Sequence, residues 1–161
     1  MNRRNTLMSI ALLSLVVSAF PQASFAQSSP LIGTWKLNLE KSKLTSGTAP
    51  RSQTATFQQD GQNIKNTNQT IDAQGNATTS VLLHIYDGQP HPTTGNPLYD
   101  ASAYLRLDAK TIVLSRFKGG KLVQVGTIAA SQDGKSRTNT ASGIVGPNGL
   151  AGTTVSVYDK Q

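Results

Sequence analysis

Along Gly33-Thr34-Trp35-Lys36-Leu37-Asn38-Leu39, Trp35, Leu37 and Leu39 alternate with Thr34, Lys36 and Asn38. This is the period-2 signature of a strand with one buried face. Strand-like segments rich in Thr, Val, Ile, Leu and Tyr recur over 52–60, 62–71, 77–86, 101–107, 110–117, 121–131, 135–142 and 153–159, and none sustains a 3.6-residue period. Turn chemistry separates them. Asp60-Gly61, the run Asp72 to Asn76, Lys118-Gly119-Gly120, Asp133-Gly134 and Gly146-Pro147-Asn148-Gly149 supply Gly, Asn and Asp where positive φ is needed, and Asp108-Ala109-Lys110 is a weaker turn. Short strands joined mainly by hairpins predict an all-β meander, and closing the meander removes its exposed edges. The expected architecture is an up-and-down antiparallel β-barrel of about eight to ten strands.

Two segments break the rhythm. Residues 41–50 form a Ser/Gly/Thr-rich stretch long enough to cross a barrel mouth. Residues 87–100 contain Pro90, Pro92 and Pro97, and each lacks a ladder donor, so the expectation there is a structured lid or Ω-loop without a regular strand. The strand faces are also uneven. Val81, Leu83, Ile85, Ile112, Leu114, Val123, Val125, Val155 and Val157 alternate as a core-facing set should. In contrast, 52–60 offers only Ala55 and Phe57 beside Gln53, 62–71 sets Ile64 and Ile71 among Asn63, Asn66, Asn68 and Gln69, and 135–142 has no large apolar side chain. Such a lining fits a lumen that holds water or a ligand.

Composition adds an address. Arg3 and Arg4, the apolar run 7–20 and Ser24-Phe25-Ala26 read as a cleaved signal peptide over 1–26, leaving 27–161 as a single barrel domain. The apolar run falls short of a membrane-spanning helix, so the expected location is periplasmic or secreted, with no membrane span. The chain has no cysteine, which excludes disulfides, thiolate chemistry and thiolate metal sites. Its formal charge of +7 is spread over dispersed Lys and Arg without a basic run, the pattern of a solvated surface and not of a nucleic-acid footprint.

The mature chain resembles the lipocalin-like, calycin-type β-barrels, and more closely a group of small exported bacterial barrels. The likeness rests on Gly33 to Lys43, Tyr86-Asp87-Gly88, Thr94-Gly95-Asn96-Pro97, Lys118-Gly119-Gly120-Lys121, Asp133-Gly134-Lys135 and Val157 to Gln161. Avidin-like barrels share the Gly-x-Trp opening. The resemblance implies a central cavity and a closed end formed by Gly33 and Trp35 with a late arginine, for which Arg137 is the candidate. It transfers no catalytic residue.

Chemical motifs are sparse. There is no Gly-x-Ser-x-Gly elbow, His-Glu-x-x-His helix, phosphate loop or close carboxylate pair, so a non-enzyme without cofactor or metal is expected. His84 alternates with Leu83 and Ile85 and His91 lies between two prolines, which reads as two surface histidines. A ligand-binding set is offered by Tyr86, Tyr99, Tyr104, Arg106 and Arg116: tyrosines give apolar area with a polar tip, and arginine grips a carboxylate. Against it stands an arrangement in which Tyr104 and Arg106 face solvent opposite Ala103, Leu105 and Leu107. The functional expectation is an exported barrel that binds a small amphipathic or apolar molecule. The alternative is an envelope interaction module contacting a protein or surface polymer through 87–100.

Overall fold

The computed structural model describes residues 29–44, 49–144 and 151–161. The expected signal peptide, the middle of the 41–50 stretch and the Gly146–Gly149 turn lie outside the described residues. Ten strands follow one another: β1 (Gly33–Lys43), β2 (Ser52–Asp60), β3 (Asn63–Ile71), β4 (Ala77–His84), β5 (His91–Thr94), β6 (Ala101–Arg106), β7 (Thr111–Lys118), β8 (Lys121–Ala130), β9 (Ser136–Ile144) and β10 (Ala151–Lys160). Each pairs antiparallel with the next, and β1 also pairs with β10, so the meander closes into an up-and-down barrel. No edge remains in the sheet.

Closure relies on a bulge in β1, where the register to β10 slips between Asn38 and Lys43. Side chains replace the missing ladder bonds there: the Ser42 hydroxyl donates to Asn38 O at 2.6 Å and accepts the Val157 N–H at 2.9 Å. The Asn38 amide donates to Asp159 at 2.7 Å, which ties the bulge to β10.

The segment 87–100 departs from expectation, because β5 lies within it and contains Pro92. The strand is brief: His91 and Pro92 oppose Ser102 and Ala101, while Thr93 and Thr94 oppose Leu82 and Val81. Pro92 is tolerated because the donor toward the start of β6 comes from Thr93 N–H, 2.8 Å from Asp100 O. The Thr93 and Ser102 hydroxyls add a buried bond at 2.9 Å across the same pair of strands.

The inward faces change character along the barrel axis. From one end to the other, β2 turns inward Phe57, Ala55 and Gln53; β3, Ile64, Asn66, Asn68 and Thr70; β4, His84, Leu82, Ser80 and Thr78; β7, Ile112, Leu114 and Arg116; and β10, Tyr158, Ser156 and Thr154. One half is therefore a packed floor and the other a polar chamber. Of the alternating apolar set read from sequence, Ile112 and Leu114 face the core, but Val81, Leu83, Val125, Val155 and Val157 sit on the outer wall, with Val125 44% exposed. Branched side chains still favour such positions, because they suit the pleat and pack on cross-strand neighbours.

Candidate functional site

The floor is built around Trp35, which is fully buried and donates its indole N–H to Leu31 O at 2.8 Å. Leu31, just ahead of β1, is thereby drawn into the same apolar cluster with Phe57 and Ile64. Gly33, at φ +130°, lets β1 begin beside Lys160, whose ammonium lies 5.1 Å from the Trp35 ring centroid. Arg137 enters from β9 and is 1% exposed. Its guanidinium carbon stands 3.9 Å from the Tyr158 ring centroid, 4.8 Å from Phe57 and 5.8 Å from Trp35, a cation ringed by aromatic faces. Its Nη1 donates to Asn139 Oδ1 at 2.8 Å. Burial lowers its pKa to about 10, opposed by Tyr158, so it stays charged at neutral pH.

His84 is a correction to the sequence reading: it is wholly buried. Val81, Leu82 and Leu83 form an unbroken apolar run, so alternation could not decide the face, and the strand register turns Leu82 and His84 inward. Its ring stacks on Tyr104 with centroids 3.9 Å apart and meets Phe57 edge-on at 5.3 Å. Neither ring nitrogen has a hydrogen-bond partner. Burial first, then the charges of Arg137 and Arg116, pull its pKa down to about 3, so it is a neutral aromatic filler. His91 remains partly exposed and pairs with Asp87 at 2.9 Å. Among the described residues no cluster of three or more His, Asp or Glu is placed to hold a metal.

Above the floor lies a cavity of about 220 Å³. Its wall is mostly amide and hydroxyl: Gln53, Asn66, Asn68, Thr70, Thr78, Ser80, Gln124, Asn139, Thr154 and Ser156. Leu98, Leu114, Ile128 and Ala141 supply a smaller apolar part. Tyr158 donates its hydroxyl to Gln53 Oε1 at 2.6 Å, joining β10 to β2 across the lumen. Burial raises the Tyr158 pKa against the pull of Arg137 and Arg116. The rim is formed by Gly95, Asn96, Pro97, Leu98 and Tyr99, which follow β5 and fold against β4. Gly95 makes that approach possible: at φ +73°, a Cβ there would lie 2.1 Å from Thr79 O.

Among the described residues Arg116 is the one charged side chain on the wall. Its guanidinium carbon sits 4.4 Å over the Tyr99 ring, Nη1 donates to Gln124 Oε1, and Gln124 Nε2 is anchored on Ile144 O at 3.0 Å. Its Nε has no partner among the described residues. None of the chain's eight acidic residues is buried and none lines the cavity. Among the described residues neither Arg116 nor Arg137 forms an ion pair. The lumen therefore carries positive charge without a protein counter-ion.

The structure divides the residues read from sequence. Tyr99, Tyr104 and Arg116 meet at the cavity. Tyr86 and Arg106 instead pair with each other at 4.3 Å beyond the lining. The arrangement with Tyr104 facing solvent fails, since Tyr104 is buried while Leu105 and Leu107 are 50% and 65% exposed. The sequence reading does not include Gln53, Gln124 and Asn139: Gln53 and Asn139 are polar positions on strands without a convincing apolar face, and Gln124, between Val123 and Val125, carries no signal.

A ten-stranded barrel with a closed floor and a polar chamber fits the calycin-type reading at the level of fold. The chain is similar to a point mutant of the fatty acid transporter REP1-NXSQ, at 13% identity and a TM-score of 0.50, over 83% of this chain and 100% of that one. It also aligns with zebrafish ileal bile acid-binding protein in complex with cholic acid, at 14% identity and a TM-score of 0.41, with the same coverage. No protein-family model matches the sequence, and no curated protein matches it.

Proposed function

We propose that the protein is an exported small-molecule-binding barrel whose lumen takes a ligand with an acidic head. The observation that carries this reading is the cavity of about 220 Å³ in which Arg116 meets no acidic side chain. An anionic group on the ligand would give Arg116 the charge-assisted hydrogen bonds that no acidic side chain of the chamber supplies. Tyr99 and Tyr104 line the same cavity and give it apolar surface for the remainder of the ligand. The barrel-shaped relative described as a fatty acid transporter supports a carrier of this general kind. Export rests on the pattern of residues 1–26.

Native mass spectrometry of the protein purified from its own host, before and after denaturation, tests the reading. A reproducible mass excess that vanishes on unfolding is expected, and it should fall in Arg116→Leu. A bare polypeptide mass, together with no thermal shift from small carboxylates, would overturn it. The interaction-module alternative receives no support from the segment 87–100, because β5 is built into the barrel wall and residues 95–99 line the chamber.

A further inference from the structure

We infer that the ligand is polar along its whole length, a small hydroxylated acid of the sugar-acid type and not a fatty acyl chain; this rests on the lumen being a ligand site. The inference starts from what surrounds Arg116. Asn66 is 6% exposed, lines the cavity, and its Oδ1 has no partner among the described residues. Arg116 Nε is likewise a buried donor without an acceptor. An occupant that donates to Asn66 and accepts from Arg116 would satisfy both atoms, which a hydroxyl-bearing carboxylate does and an alkyl carboxylate does only in part. Asn68, Ser80, Gln124 and Ser156 continue the polar wall toward the mouth.

An alkyl chain lying there would strip water from these groups and return no hydrogen bonds, the most unfavourable fate for a buried amide or hydroxyl. Tyr99 and Tyr104 line the same chamber and give a hydroxylated chain some apolar surface beside its polar contacts.

The test is calorimetric titration of the intact mature protein with three probes of similar size: gluconate, decanoate and sorbitol. Gluconate is expected to bind at least tenfold more tightly than either of the others. In Asn66→Leu the preference should narrow, with gluconate weakened and decanoate strengthened, an opposite movement that simple loss of fold cannot produce. Tighter binding of decanoate would overturn the polar-ligand inference while leaving the acidic-head reading intact. Equal binding of sorbitol would remove the role of charge in both. If no probe bound, the lumen would not be a site for this ligand class and the inference would fall, with native mass spectrometry then deciding the broader reading.

Discussion

His84 and Arg137 show how the floor uses polar side chains as packing material. A neutral imidazole stacked on Tyr104 costs little in solvent-free surroundings, but a protonated one beside two arginines costs a great deal. With a folded pKa near 3 against 6.5 for a free histidine, the unfolded chain binds the extra proton throughout that window. The stability contribution of His84 is complete above pH 6.5 and is lost as pH falls toward 3, at about 1.4 kcal/mol per unit. Denaturant titration at pH 7 and pH 4.5 should show a loss of roughly 2–3 kcal/mol in the wild type and most of that loss absent in His84→Phe. A parallel fall in the variant would assign acid sensitivity elsewhere. Arg137 yields the complementary prediction. Arg137→Ala leaves a hole among Trp35, Phe57 and Tyr158 and should cost about 2–5 kcal/mol, whereas Arg137→Met fills the space without a buried charge and should be near neutral. If Met is as damaging as Ala, the cation itself holds the aromatic ring together. At this scale the sequence disclosed Trp35 as buried and Tyr99, Tyr104 and Arg116 as members of one group. It hid His84, because apolar residues on both sides of β4 leave alternation without a direction.

The strands raise a different question: why regular alternation pointed to the wrong face. Val125 on β8 and Val155 and Val157 on β10 lie outside, and the amides and hydroxyls inside, with Gln124 and Ser156 in the chamber. A one-residue shift exchanges the two faces, so a half-buried apolar outer wall and a polar lumen give the same period as the reverse. The element boundaries were legible because turns carry their own chemistry, which is why nine of the ten strands coincide with segments read from sequence. The exception, β5, escaped because its four residues include Pro92 and its ladder is supplied largely by neighbours. Gly95, which follows it, is the hinge of the rim. Gly95→Ala forces a Cβ against Thr79 O in a left-handed backbone and should cost about 1–3 kcal/mol, measured by thermal unfolding. Cavity binding should weaken in the same variant, because residues 95–99 must move to relieve the clash. Unchanged stability would mean that the rim does not press on β4. Excising 88–98 should be far more severe, removing β5 and opening the wall, with loss of cooperative unfolding as the readout.

For the whole molecule, the decisive property is where charge is kept. The acidic side chains serve turns on the outside, as Asp108 does by accepting the Lys110 and Thr111 N–H groups and Asp133 by accepting Lys135 N–H. The two arginines of the interior are left with aromatic rings and amides. On the proposed reading, an anion in the chamber would meet Arg116 directly and lie in the field of Arg137. Binding linkage makes this measurable: a ligand at a hundred times its Kd should stabilise the fold by about 2.7 kcal/mol, equivalent to a Tm rise on the order of 10 °C. The rise should shrink as salt is added, though less than for an exposed site, because the chamber is screened poorly. In Arg116→Leu the rise given by an anionic ligand should nearly disappear, while the unliganded variant should melt somewhat lower than the wild type, since the contacts of Arg116 with Gln124 and Tyr99 are lost. A variant that melts lower and still responds fully to the anion would show that Arg116 supports the wall through Gln124 and Tyr99, and that the charge recognised by the ligand lies deeper, at Arg137.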